Sequence, residues 1–436
     1  MTCSTSRRIT RLAALTAGAL LLVAACGTAA PSTTPAPTTA PAATPAPTST
    51  PSPAATPAPT GDEAALYRAI EDQVVAERGL EAKQRLEPTV LSEDELRARI
   101  EEQFRKDNPA DEIAISQETL QALGLLPAGA DLAKIYVEML GSQIAGFYDP
   151  ETKELFVVSR SGTIGPAEKV TFAHEFTHAL QDQHFGLEGI DVDAVGQGDR
   201  SLGRLGLVEG DATLLMTRWL VEHLAPQELQ ELLEVDPESQ AQLEALPAIL
   251  RETLLFPYQQ GAIFANGIWM AGGWEAIDGA YERLPDSTEQ ILHPEKYDAG
   301  EKPIAVAMDG AALARAMGTG WSGTPEDTLG EFQLSVWLRE NGVKALDAQA
   351  AAAGWGGDRF AYLRGPNGAY ALAVATTWDA AAEADEFVAA ATTAAASLPG
   401  AARVERGADA RSAWIFAASD APTLDLLAQA ARGLGI

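Results

Sequence analysis

The chain has 436 residues, with 61 Asp and Glu against 31 Lys and Arg and a formal net charge of −30. So acidic an exterior repels phosphate backbones and anionic headgroups, which argues against nucleic-acid binding and against a polybasic membrane contact. Only two cysteines occur, Cys3 and Cys26, which excludes a disulfide framework, a cysteine nucleophile and a Cys-based zinc site in the folded part.

Arg7, Arg8 and Arg11 precede an apolar run from Leu12 to Ala25, which is too short to span a bilayer comfortably. Residues 1–25 therefore read as an export signal. The run ends in Leu22-Val23-Ala24-Ala25-Cys26, which resembles the lipobox of bacterial lipoproteins. The resemblance implies cleavage before Cys26 and lipidation of its thiol, palmitate included. The folded part would then be anchored to the membrane outside the cytoplasm, at the bacterial cell envelope. Ser6-Arg7-Arg8-Ile9-Thr10 also hints at twin-arginine export. Residues 26–60 are almost wholly Pro, Thr, Ala and Ser, a composition with no core-forming residues, and predict a disordered stalk.

Residues 61–142 read as a helical region. Ala64 to Leu80 carries an apolar stripe of Leu66, Ile70 and Val74. Ser92-Glu93-Asp94-Glu95 is a capping box opening a helix through Phe104, and Leu132 to Leu140 forms another helix. The charges along these helices read as solvated faces, with no chemistry among them.

Residues 143–300 hold the chemistry. Ile144 to Tyr148 and Glu154 to Ser159 flank Asp149-Pro150-Glu151-Thr152-Lys153 and read as a hairpin. A strand just before the next helix could offer its edge to an extended peptide. That helix follows Gly165 and Pro166 and contains His174-Glu175-Phe176-Thr177-His178. Positions i and i+4 share a helix face, so both imidazoles can reach one metal. Glu175 lies beside that point and suits a general base acting on metal-activated water. The bland alternative is a chance spacing. Three of the five histidines (His174, His178, His184) cluster here, with Glu175 in the required slot.

A catalytic zinc needs a third protein ligand. Leu207 to Leu224 reads as a second helix, with Glu209 and Asp211 between apolar residues. A carboxylate is costly to bury there unless it is paired or metal-bound. Glu209 is the candidate ligand, with a helix-start carboxylate as its alternative. Asp211 either replaces it or accepts a bond from a histidine N–H. The connection from Gln183 to Arg204 carries Asp191, Asp193 and Asp199. Val195 and Leu202 spoil a calcium loop, so it reads as a mobile loop beside the cleft.

Further on, Gln227 to Val235 and Ser239 to Leu255 predict helices, the second restarting at Pro247. A break is expected at Phe256-Pro257-Tyr258-Gln259-Gln260-Gly261, with a helix resuming from Ala262 to Trp274. A developing oxyanion needs a donor. His293 in the polar segment Ser287 to Tyr297 is the first candidate and Tyr258 the second, against a simple packing role for His293. His223 reads as structural. Residues 301–436 shift to Ala and Gly and predict a small α+β module. Its strands are expected at 360–364, 370–377, 403–406 and 412–418, its helices at 328–341, 380–398 and 423–434, and a turn at Gly365-Pro366-Asn367-Gly368.

The segment His174 to Asp182 is similar to the active helix of thermolysin-like zincins, whose third ligand is a glutamate on a later helix. It also resembles metallopeptidases found among bacterial lipoproteins, which share the Glu209-Gly210-Asp211-Ala212 pattern. The similarity covers about residues 144–224. It implies a zincin-like core with zinc held by His174, His178 and Glu209, Glu175 as base, and a peptide or protein substrate. It departs where thermolysin-type enzymes carry an Asp four residues after the third ligand, since Thr213 stands there. The expected fold class is α+β, mainly helical. The expected function is a membrane-tethered zinc metallopeptidase. A non-catalytic metal-binding scaffold and a metal hydrolase of cell-wall amide or ester bonds are the alternatives.

Overall fold

The computed structural model describes residues 61–143, 145–158, 164–234 and 237–435. The expected export signal and stalk, with Cys26, lie outside them. The fold is α+β and mainly helical. No helix among the described residues is long and apolar enough to cross a membrane.

The chain enters through α1 (Gly61–Arg78), which buries Tyr67, Ile70, Val74 and Arg78. A short strand β1 (Thr89–Leu91) follows, then α2 (Glu93–Asp107), α3 (Ala110–Ala122) and α4 (Leu132–Gln143). The capping box at Ser92 forms as its spacing predicts, with Glu95 reaching back to the Ser92 N–H.

The hairpin is β2 (Gly146–Asp149) and β3 (Glu154–Val158), paired antiparallel with Phe147 opposite Phe156. Strand β1 adds in parallel to the other side of β3, giving the order β1-β3-β2. The strand just before the histidine helix is therefore internal, and β2 is the edge. Alternation along β3 joins two cores, as strand geometry requires. Leu155 and Val157 face Tyr67, Phe172 and Trp219, while Phe156 and Val158 face Phe104, Leu250 and Trp337.

Helix α5 (Pro166–Phe185) starts with Pro166 after Gly165, and Glu168 caps the Gly165 N–H. It stops at Gly186, whose left-handed φ of 71° closes the last turn. After a short 3-10 turn comes α6 (Gly198–His223). It begins earlier than the sequence suggests, because Asp199 is buried against the Thr288 hydroxyl and backbone N–H. The predicted loop is thus shorter, and its acids do not converge on a cation.

Helices α7 (Pro226–Leu232) and α8 (Pro237–Glu244) lead to α9 (Ala248–Glu282). The restart at Pro247 is present, but the expected break at Pro257 is not. Helix α9 runs through Pro257 and breaks backbone geometry at Gly272 and Gly273. The reason is packing. A Cβ at Gly210 would lie 2.2 Å from the Gly261 carbonyl oxygen, and one at Gly261 would lie 2.2 Å from that of Gly206. Two helices in backbone contact hold the Pro257 turn helical despite one lost hydrogen bond.

Short helices α10 (Thr288–Leu292), α11 (Pro294–Ala299) and α12 (Gly310–Met317) lead into the C-terminal module. It contains β4 (Ser322–Gly323), α13 (Gly330–Glu340), α14 (Ala345–Ala352), β5 (Trp355–Arg364), β6 (Tyr370–Trp378), α15 (Ala381–Ala395), β7 (Ala401–Arg406), β8 (Ser412–Ala418) and α16 (Ala421–Leu434). Its antiparallel sheet runs β4-β5-β6-β8-β7. The module is not packed separately. Trp355, Val374 and Phe387 share one core with Phe104, Phe156 and Leu254, and Arg364 grips Glu118 of α3 with two bonds of 2.6 and 3.0 Å.

Candidate metal centre

Helix α5 brings His174 and His178 onto one face, their Nε2 atoms 3.1 Å apart. Helix α6 crosses it and places Glu209 Oε2 3.3 Å from each. A tetrahedral face with bonds of about 2.0–2.1 Å has edges of about 3.3–3.4 Å, which this nearly equilateral triangle matches. His174, His178 and Glu209 are fully buried. Both Glu209 oxygens lack a hydrogen-bond donor among the described residues. Two imidazole nitrogens and a buried carboxylate converging on one point are a ligand set that could hold a metal ion. Two nitrogens and one oxygen suit zinc better than calcium or magnesium. Glu209 lies mid-helix rather than in the first turn, so attraction to a helix start does not account for it.

The electrostatics follow from burial and proximity. Burial pushes the Glu175 carboxyl up to about 8. Burial disfavours charge on His178, but the Glu209 carboxylate outweighs it and raises His178 to about 9. Burial lowers His174. Glu209 is held below its ordinary value, because the two imidazoles outweigh its own burial. Glu175 Oε2 accepts the Tyr148 backbone N–H at 2.9 Å. That N–H belongs to the outer edge of β2. Gly146 on the same edge is pressed against Thr171, where an added Cβ would meet the methyl at 2.7 Å. At Tyr148 the outer edge of β2 is thus already engaged by Glu175 of α5.

Asp211 does not touch a histidine. It accepts Arg78 Nε at 3.0 Å and Nη2 at 3.2 Å, Gln181 Nε2 at 3.0 Å and the Tyr281 hydroxyl at 2.9 Å. Gln181 makes the link. Its amide nitrogen also donates to the Val208 carbonyl at 3.0 Å, and its oxygen lies 2.8 Å from His178 Nδ1. With the amide so oriented, His178 carries its proton on Nδ1 and leaves Nε2 for a cation. Sequence reasoning missed Arg78, Gln181 and Tyr281. Gln181 lies three residues after His178, and that spacing was the available signal. Nothing local marks Arg78 or Tyr281.

The other candidates separate. His293 joins α10 to α11, and its Nε2 is 2.9 Å from Glu331 of α13. Its ion pairs are with Glu331 and Glu295, neither of them in the histidine–glutamate cluster. Tyr258 lies on α9 with its ring centroid 6.3 Å from that of His174. Thr213, where thermolysin-type enzymes carry Asp, has a buried hydroxyl with no hydrogen-bond partner among the described residues.

Residues 317–426 match a domain of unknown function (DUF8575). The match spans most of the C-terminal module and none of the residues of the metal centre. No curated protein and no solved structure matches the chain.

Proposed function

We propose that the chain is a zinc-dependent metallopeptidase with a zincin-like core, tethered outside the cytoplasm through lipidated Cys26. The observation that carries this reading is the His174–His178–Glu209 triangle with Glu175 on the same helix. His174, His178 and Glu209 would hold the ion, three protein ligands leaving one position for chemistry, as catalytic zinc sites do. A bound zinc supplies Lewis acidity toward a peptide carbonyl and toward water. Glu175 takes the proton from the attacking water and returns it to the leaving amine. Gln181 keeps the His178 Nε2 lone pair aimed at the ion. Tyr258, with its ring centroid 6.3 Å from that of His174, is the candidate hydroxyl donor for the oxyanion.

The test is Glu175→Gln, assayed for zinc content and for cleavage of a broad peptide library. The expected result is one zinc in both proteins and cleavage only by the wild type. Cleavage retained by the variant would reject Glu175 as the base.

A second reading is favoured by one observation: the metal residues and Glu175 are at most 1% exposed. A substrate must open this site to reach it, whereas a purely structural ion needs no opening. A wild-type protein that holds zinc tightly and cleaves no peptide or cell-wall amide or ester would establish the structural ion instead.

A further inference from the structure

Arg78 is the only Lys or Arg among the described residues that is buried outright, at 1% exposure. It sits at the end of α1, and its partner Asp211 lies 133 residues away in sequence. The helix wedges across the metal helices. Tyr67 packs on Phe172 of α5 with centroids 4.6 Å apart, and Gln73 accepts the Trp219 indole N–H of α6 at 3.1 Å. Arg78 also donates to Asp278 at 2.7 Å and lies over the Trp274 ring at 4.8 Å, so it reaches α9 as well.

A two-point guanidinium contact fixes the orientation of a buried carboxylate. Asp211 in turn fixes the Gln181 amide. Without Asp211 as an acceptor only the Val208 carbonyl holds the amide nitrogen, and a turned-over population presents its NH2 to His178 Nδ1. The ring proton then sits on Nε2, facing the other ligands, and a metal must displace it to bind.

We infer that Arg78 is a positioning residue for the metal: through Asp211 and Gln181 it sets the His178 tautomer, so docking of α1 and metal occupancy stabilise one another. The inference rests on the metal-centre reading and not on peptidase activity. The coupling is reciprocal: the metal that α1 retains also holds α1 in place.

The experiment measures zinc affinity of the full-length chain by chelator competition. Arg78→Met is compared with Arg78→Lys and with Arg78→Met/Asp211→Asn. The double variant removes the uncompensated buried carboxylate and so keeps the fold testable. The expected result is a 10–100-fold weaker zinc affinity in Arg78→Met and in the double variant, the range typical of outer-shell partners. Arg78→Lys should recover part of it. With the ring made neutral above about pH 9, nitrogen chemical shifts of metal-free His178 should show the proton on Nδ1 in the wild type and a tautomer mixture in both Met variants. Amide exchange over 67–78 should slow when zinc is added to the wild type.

A double variant that melts like the wild type and binds zinc within twofold of it, with exchange in α1 indifferent to zinc, would overturn the inference. Wild-type protein that binds zinc but cleaves nothing overturns the peptidase reading alone. Wild-type protein that binds no zinc overturns both.

Discussion

At the scale of single residues, the proposed oxyanion role of Tyr258, rather than His293, is open to a direct test. His293 is engaged with Glu331, which raises its proton affinity and ties it to α13. Tyr258 is 5% exposed and its ring faces His174. Loss of a single oxyanion donor typically costs about 10²–10³-fold in kcat. Tyr258→Phe should therefore lower kcat by about that factor with little change in KM, because the hydroxyl matters in the transition state more than in binding. His293→Ala should leave both constants within a few-fold of the wild type. Steady-state kinetics on any cleaved peptide decides this, and the opposite pattern would move the role to His293.

At the scale of elements, the site depends on how closely α6 and α9 approach. Gly206, Gly210 and Gly261 let the two backbones touch within one turn of Glu209. A Cβ at Gly210 has nowhere to go, since the atoms it meets are backbone. Gly210→Ala should cost about 1–3 kcal/mol or more by overpacking, read as a lower urea midpoint, and should displace Glu209. Gly267, on the exposed face of the same α9, has open space around its Cβ position. Gly267→Ala should instead stabilise by up to about 1 kcal/mol through helix propensity. Equal effects at the two positions would show that the close contact is not what holds α6 against α9. The same contrast explains what was legible in the sequence. His174, Glu175 and His178 are written in an i, i+4 spacing that one helix turn enforces locally, and Glu209 is betrayed by its apolar neighbours. The hairpin, the Ser92 capping box and strand β8 are likewise local signals. Arg78 reads as one more charge on an exposed helix until α1 docks, and Pro257 reads as a break until α6 supports it. Strand β1 has three residues and no period to detect.

For the whole molecule, acid is the dominant fact, and it sets the direction of stability with pH. Outside the candidate metal centre, burial raises the Asp358 carboxyl to about 6, although it accepts the Leu329 and Gly330 backbone N–H groups and the Trp355 indole. Burial also raises Glu289 to about 7, against the opposing pull of Lys296, which bridges Glu289, Glu301 and Asp379. Both folded values lie above the unfolded ones of about 3.9 and about 4.3. The folded chain therefore holds these protons more tightly than the unfolded chain. Their contribution is fully present below about pH 4 and is lost as pH rises through about 6 and about 7. The formal charge of −30 works in the same direction, since self-repulsion in the compact state grows as carboxyls ionise. The metal-free protein, kept so with a chelator, should melt at a higher temperature near pH 5.5 than at pH 8. Added salt should raise the melting temperature more at pH 8 than at pH 5.5, because there is more repulsion to screen. Glu289→Gln should flatten the part of the profile between pH 5 and 7, as Lys296 keeps Glu301 and Asp379 while the titrating group is gone. Calorimetry across that range is the check. A melting temperature that climbs steadily from pH 5 to 8 would mean that carboxylates stabilised in their charged form outweigh the buried pair.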